Sequence, residues 1–419
     1  MKAFMSWLAD SFAPAMQNFT RRPWVAAISG AMQKNIPFIL AGSLIFFYNV
    51  FRSYFSFLPD LGKIANYSFG MLGLITAFMI GNQMMEKLHH FRYTLIAGLT
   101  SICIYMMFIK PEFIDGNMIV SFDRFGPAGI LLGIVTGLFV SYLFHLYTKT
   151  GFLKESSLPD FVVGWIHSII PILISIGAGT LLVFTFDIDV FSILLSLFSP
   201  IAAFGQTLPG FILMALIPAI AMSMGISVWT FTGLQMPIFM LGISANITQV
   251  AAGQLPTNIV TYETMYTAAL ITMGGTGATL ALNLLMLFSR SKELKTTGYI
   301  CIGPSFFNIN EPLVFGTPIV LNPLLMLPMW INAITSPIIV WIFMRSDWLN
   351  IPAKMIQVGQ IPAPFSSVII TEDWRAIICY LLLMAIFLIT WYPFFKVYEK
   401  RHIEEENNNI PRTESNSIA

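Results

Sequence analysis

The sequence predicts an all-α polytopic membrane protein, with re-entrant hairpins in its C-terminal half. Three observations carry that expectation. Of 419 residues, 56% are hydrophobic and 10% charged, at a mean hydropathy of +0.75, whereas a soluble domain is roughly 25% charged. The few charges fall at the ends of apolar runs long enough to cross a bilayer, where helix ends meet headgroups. The apolar runs of the second half are broken by Gly, Pro and amides, and irregular backbone survives at membrane depth only inside protein or along a watery cavity. A net charge of +1 gives no reason to expect a nucleic-acid partner.

Residues 1–34 mix Phe4, Trp7, Leu8 and Phe12 with Asp10, Gln17, Arg21 and Arg22, a pattern for an amphipathic segment lying in the interface. They lack the uninterrupted apolar core and cleavage site of a signal peptide. Arg21, Arg22 and Lys34 flank the first span and argue for a cytoplasmic N-terminus. A smooth, Leu/Ile/Phe-rich half follows over 35–188, with spans expected near 35–52, 67–86, 93–110, 126–148 and 168–188. It reads as scaffold. The half over 189–397 has regular spans expected near 209–226, 264–290, 321–344 and 374–395, with short or re-entrant pieces near 190–206, 298–318 and 352–371. Discontinuous helices of this kind hold the binding sites of transporters. The polar tail, 398–419, is expected to be a disordered cytoplasmic end.

Within the broken half, FNINEPLVFGTPIVLNP is the most informative stretch. Glu311 is the only charged residue between Lys295 and Arg345, and a carboxylate at a helix centre costs about 2.5 to 3.5 kcal/mol even on the lenient insertion scale. It reads as a substrate ligand or proton acceptor, flanked by Asn308 and Asn310, whose amides can both donate to and accept from hydroxyls. The alternative is a carboxylate that ties broken helix ends together. In GLQMP, Gln235 either binds a polyhydroxylated ligand or bonds a neighbouring helix. MGGTGATLAL, Met273 to Leu282, serves either close helix packing or a hairpin over a ligand. His89, His90, His145 and His402 lie in loops, near a span end or in the tail, and read as solvated; His167 leads into a span, its role open. Cys103, Cys301 and Cys379 have no disulfide or zinc spacing. With no P-loop, HExxH or nucleophile elbow, neither a metal nor another cofactor is expected.

FNINEPLVFGTPIVLNP resembles the signature of the membrane IIC component of sugar phosphotransferase systems, in the lactose, cellobiose and diacetylchitobiose family. FAPAMQNFTRRPWVAAISGAMQKNIPFILAGSL, LPDFVVGWIHSIIP, MGGTGATLALNLLML and TEDWRAIICYLLLMAIFLITWYPFFK extend the resemblance over nearly the whole chain, in the family's order. It implies a homodimeric elevator-type permease of about ten transmembrane helices in the bacterial cytoplasmic membrane, both termini cytoplasmic, dimerising through its N-terminal half. It also implies import of a sugar, such as a β-linked disaccharide of cellobiose, chitobiose or lactose type, phosphorylated on its way in by a phosphocysteine of a separate IIB protein that IIA supplies. The family's Glu, here Glu311, bonds the hydroxyl that receives the phosphoryl group, with Asn310 in the same motif. Two departures stand out. Gln235 occupies the place of the family histidine, and VGQIPAP lacks the family's late-hairpin Trp. The missing histidine favours a second reading, a non-phosphorylating facilitator or sugar-sensing receptor on the same fold.

Overall fold

Apolar runs of this length have one way to satisfy their backbone in lipid, and the chain takes it almost throughout. The computed structural model describes residues 13–55, 57–151, 160–226, 228–316, 319–356 and 362–409. Helix α1 (Ala13–Thr20) leads into α2 (Pro23–Tyr54), which opens on a proline, where its missing N–H costs nothing. The boundary expected at residue 34 falls inside α2. Nothing stops the helix there, and Lys34 projects from it to Glu86 at 3.7 Å. Residues 1–12 of the expected interfacial segment lie outside the described residues.

Helices α3 (Gly62–Tyr67), α4 (Leu72–Lys87) and α5 (Thr94–Phe108) follow. The joint after α5, expected to be a plain polar loop, is a small antiparallel hairpin of β1 (Glu112–Ile114) and β2 (Asn117–Ile119), in the register Phe113 to Met118. Asp115 and Gly116 turn it at φ of 51° and 77°, the Asp-Gly choice that suits a tight hairpin. Helix α6 (Ile130–Lys149) returns, and α7 (Asp160–Thr180) ends in a π turn over Leu181–Thr185. Asp189 caps α8 (Val190–Gly205) by accepting from the Ser192 N–H at 3.0 Å, and Arg124 pairs with its carboxylate at 3.4 Å. Thr207 caps α9 (Leu208–Ser223), which meets α8 at 90°.

After α10 (Thr232–Ala251) regular structure gives way to a π turn over Glu263–Thr267 and then an irregular hairpin. No continuous helix occupies 264–290, where a regular span was expected. Gly274, Gly275 and Gly277 take positive φ, as do Ala269 and Ala278, and five left-handed residues cannot belong to one right-handed helix. Short helices α11 (Leu280–Leu287), α12 (Lys292–Phe306) and α13 (Glu311–Gly316) complete this broken region. Beyond it lie α14 (Pro323–Arg345), α15 (Ala363–Thr371) and α16 (Ala376–Asn409). Helix α16 corrects the expected disordered tail, since 398–409 are helical and used. Glu399 accepts from the Ser289 hydroxyl at 2.8 Å and the Arg290 N–H at 2.7 Å, and Glu406 from the Ser291 hydroxyl at 2.6 Å. The polar residues that made this stretch look disordered anchor the start of α12. The rest of the tail, from residue 410, lies outside the described residues.

Among the described residues, six helices are long and apolar enough to cross a membrane, or seven with α8 and α9 taken as one bent span. That count, fewer than the ten expected, leaves out α2, at 32 residues, and α4, at 16, both of which coincide with expected crossings, as well as the short pieces of the broken region. The main core gathers residues of α9, α10, the hairpin, α14 and α16, with Trp391, Phe387, Phe211 and Phe239 fully buried in it. A second core, around Tyr105, Phe144 and Ile104, packs α4, α5 and α6.

Candidate functional site

The glycine hairpin and the turn between α12 and α13 are clasped together. At the end of α12, Asn308 turns back with a φ of 62°, and its Oδ1 accepts the Gly274 N–H at 3.0 Å. Asn310, 3% exposed, donates from Nδ2 to the Thr276 carbonyl at 2.9 Å and to the Thr279 hydroxyl oxygen at 3.1 Å. Gly275 sits at a φ of 107°, and a Cβ there would fall inside the Asn310 carboxamide. Only glycine allows the two segments to approach this closely. From behind, the Trp391 indole N–H of α16 donates to the Ala278 carbonyl at 3.1 Å and fixes the hairpin's far end. Glu311 begins α13 directly after Asn310, whose carbonyl accepts the Val314 N–H at 2.8 Å. Its side chain lies outside what the structure describes.

A narrow cavity adjoins the hairpin. Met214, Ala215 and Pro218 of α9, Ala333 of α14, and Met265, Tyr266, Ile271, Thr272, Thr276 and Gly277 line it. Gln235 of α10 is 4% exposed and links two of those walls, with Nε2 donating to the Met214 carbonyl at 2.8 Å and Oε1 accepting the Tyr266 hydroxyl at 3.3 Å. Of the two roles open to Gln235 in the sequence, the described state therefore displays the helix-bonding one. Thr276 joins both constellations, lining the cavity while its carbonyl holds Asn310. The hairpin thus brings Gln235, Asn308 and Asn310 into one connected region. His167 does not join it; its Nδ1 pairs with the Tyr147 hydroxyl at 3.0 Å, towards the end where His90 and His145 meet at 3.0 Å. Val358 to Ile361 of the late hairpin lie outside the described residues. No cluster of His, Cys, Asp and Glu suited to a metal occurs among those described.

The family model for the phosphotransferase system EIIC matches residues 29–333. This chain belongs to that family. The EIIC chain is 27% identical to the lichenan permease IIC component of Bacillus subtilis over 363 residues, covering 81% of this chain and 79% of that protein. It is 25% identical to the lactose-specific EIICB component of Staphylococcus epidermidis over 445 residues, covering 98% of this chain and 73% of that protein. Its fold matches the crystal structure of ChbC, the IIC component of the N,N′-diacetylchitobiose-specific system, at a TM-score of 0.82 and 23% identity over 96% of this chain and 99% of that one. The EIIC chain is therefore a multi-pass membrane protein, the sugar permease component of a phosphotransferase system.

The EIIC chain also holds groups that the sequence reading passes over. Glu263 is the only charged residue between Asp189 and Arg290, and it is fully buried on the π turn. Its isolation in sequence is the signal that singled out Glu311. Tyr266, Thr272 and Thr276 give no such signal, because hydroxyl residues are ordinary in membrane helices and only the folded hairpin turns them to one cavity.

Proposed function

We propose that this permease imports a β-linked disaccharide and presents one of its hydroxyls to a phosphocysteine on a separate IIB protein. In this reading Glu311 positions that hydroxyl and takes its proton, a contribution worth roughly 10²–10⁴-fold in rate. Asn308 and Asn310 hold the hairpin against the Glu311 turn and orient the sugar ring, and Gln235 closes the site from α10. The observation that carries the proposal is the clasp of Asn310 on Thr276 and Thr279, because it ties the residue preceding Glu311 to a cavity wall bearing hydroxyls. The sugar class rests on the relatives, whose names refer to lichenan, lactose and N,N′-diacetylchitobiose, all β-linked. Passage by elevator motion of a homodimer, about ten crossings when broken pieces are counted, and cytoplasmic termini belong to the same proposal. Arg21 and Arg22 before the first long helix, and Lys396, Lys400 and Arg401 late in α16, support that orientation.

One observation favours a second reading. Gln235 cannot carry a proton near neutral pH, and its amide already bonds Met214 and Tyr266, as suits a facilitator or receptor that binds sugar without phosphorylating it. Vesicles carrying the permease, supplied with phosphoenolpyruvate and the soluble phosphotransferase proteins, separate the two. Phosphorylated disaccharide inside the vesicles is the expected result, and free sugar alone supports the second reading. In that event Gln235→His should restore phosphorylation.

A further inference from the structure

Asn332 lies in the middle of α14, is fully buried, and has no hydrogen-bond partner at either its Oδ1 or its Nδ2. Among the described residues it is the one buried amide with neither end engaged. A carboxamide left unpaired in a low-dielectric interior destabilises the fold, and leucine of similar size would avoid that cost. The position of Asn332 indicates what it serves. Met329, Asn332 and Ala333 share one face of α14 by their i, i+3 and i+4 spacing. Met329 packs where a Cβ on Gly277 would go, and Ala333 lines the cavity beneath the hairpin. Asn332 is thus carried on the side of α14 that meets the glycine hairpin. On the π turn before the hairpin, Thr267 follows the cavity residue Tyr266 and is also buried with its hydroxyl unengaged.

We propose that Asn332 is a sugar-binding residue, its carboxamide accepting from and donating to a hydroxyl of the transported saccharide. A sugar hydroxyl suits Asn332 because it can donate to Oδ1 and accept from Nδ2, the two atoms the carboxamide leaves unengaged. The neighbouring cavity is lined by apolar Met214, Pro218 and Ile271 beside the hydroxyl-bearing Tyr266, Thr272 and Thr276, the mixed composition of a ligand site. The inference rests on the reading of this cavity as the sugar site.

The test is Asn332→Leu in the full-length, detergent-purified permease, with the best-binding disaccharide from a panel measured by calorimetry. The expected result is binding at least tenfold weaker than the parent's, with a melting temperature equal or higher, because leucine removes an unpaired amide from the core. Thr136→Val, which removes an unengaged buried hydroxyl from α6 in the other half, should leave the affinity unchanged. A series of monodeoxy sugars gives a second readout that does not depend on how much protein folds. One deoxy position should weaken binding to the parent and make no difference to the Asn332 variant, a ratio taken within each sample. Leucine-variant affinity within twofold of the parent's, or an identical deoxy profile in both proteins, overturns the proposal. If the parent binds sugar and neither Tyr266→Phe nor Asn332→Leu alters it, the cavity reading itself fails; if Tyr266→Phe alone weakens binding, the cavity stands and the assignment of Asn332 falls.

Discussion

Gly275 and Tyr266 show how single residues set this site. A side chain at Gly275 must displace Asn310, and the φ of 107° adds backbone strain, a cost of order 1 to 3 kcal/mol. Gly275→Ala is therefore expected to lower the melting temperature and weaken sugar binding together, both read on one purified sample. Tyr266→Phe keeps the ring and removes a single hydrogen bond to Gln235, worth about 0.5 to 1.5 kcal/mol net. It should weaken sugar binding severalfold with little change in melting temperature; equal affinity would show that the Tyr266–Gln235 link does not shape the site. At this scale the sequence is legible where a residue is out of place. Glu311 stands out as a lone charge in an apolar run, and Glu263 carries the same signal. Asn308 and Asn310 are legible as polar groups, but not as clasps, because their partners Gly274, Thr276 and Thr279 lie more than thirty residues away in sequence and meet them only in the fold.

The short elements work by being held at both ends. Helix α12 is anchored at its start by Glu399 and Glu406 of α16 and ends in the Asn308 turn, so α16 fixes the helix that delivers Glu311. The start of α16 is set by Asp373, which accepts from the Arg375 backbone N–H at 3.0 Å and from its Nη2 at 2.7 Å. Hydrogen bonds from the Arg375 side chain, outweighing the opposing effect of burial, hold the Asp373 carboxyl below the usual carboxylate range. A carboxyl whose pKa is lower folded than unfolded adds stability that is complete above the unfolded value, about 3.9 for Asp, and is lost as pH falls through it towards the folded value. Melting temperatures of the parent and Arg375→Met should therefore differ most at pH 6 to 7 and converge as pH drops through about 4. A gap that persists unchanged at low pH would place the contribution of Arg375 in packing, against Trp348, where its guanidinium lies 5.9 Å from the ring centroid. Long helices were legible from apolar length alone, as with α6 and α14. The hairpin over 264–279 was not, because its apolar composition matches a span, and only the joint effect of Gly274, Gly275 and Gly277 with two left-handed alanines breaks it. The end of α16 was hidden for the converse reason. Its polar residues resemble a solvated tail until Ser289, Ser291 and the backbone beside them supply partners.

Over the whole molecule, composition and five stretches in the family's order, the NINEP stretch among them, pointed to a membrane permease of the phosphotransferase IIC kind, and the family match and the shared fold agree. The count of crossings was harder to read, since the short pieces of the broken region do not advertise spans by length. The N-terminal helices have a separate core around Tyr105 and Phe144, and α9, the π turn, the glycine hairpin and α14 line the cavity. The proposed function has Glu311 of this permease work on a sugar hydroxyl. Its most direct test is phosphoenolpyruvate-dependent phosphorylation of the bound disaccharide in vesicles with the soluble partners, parent against Glu311→Gln, with sugar affinity measured on the same preparations. Glutamine keeps the size and the hydrogen bonding and loses the base, so the account predicts retained binding with phosphorylation reduced roughly 10²-fold or more. A Glu311→Gln permease that phosphorylates its sugar at the parent's rate would contradict it.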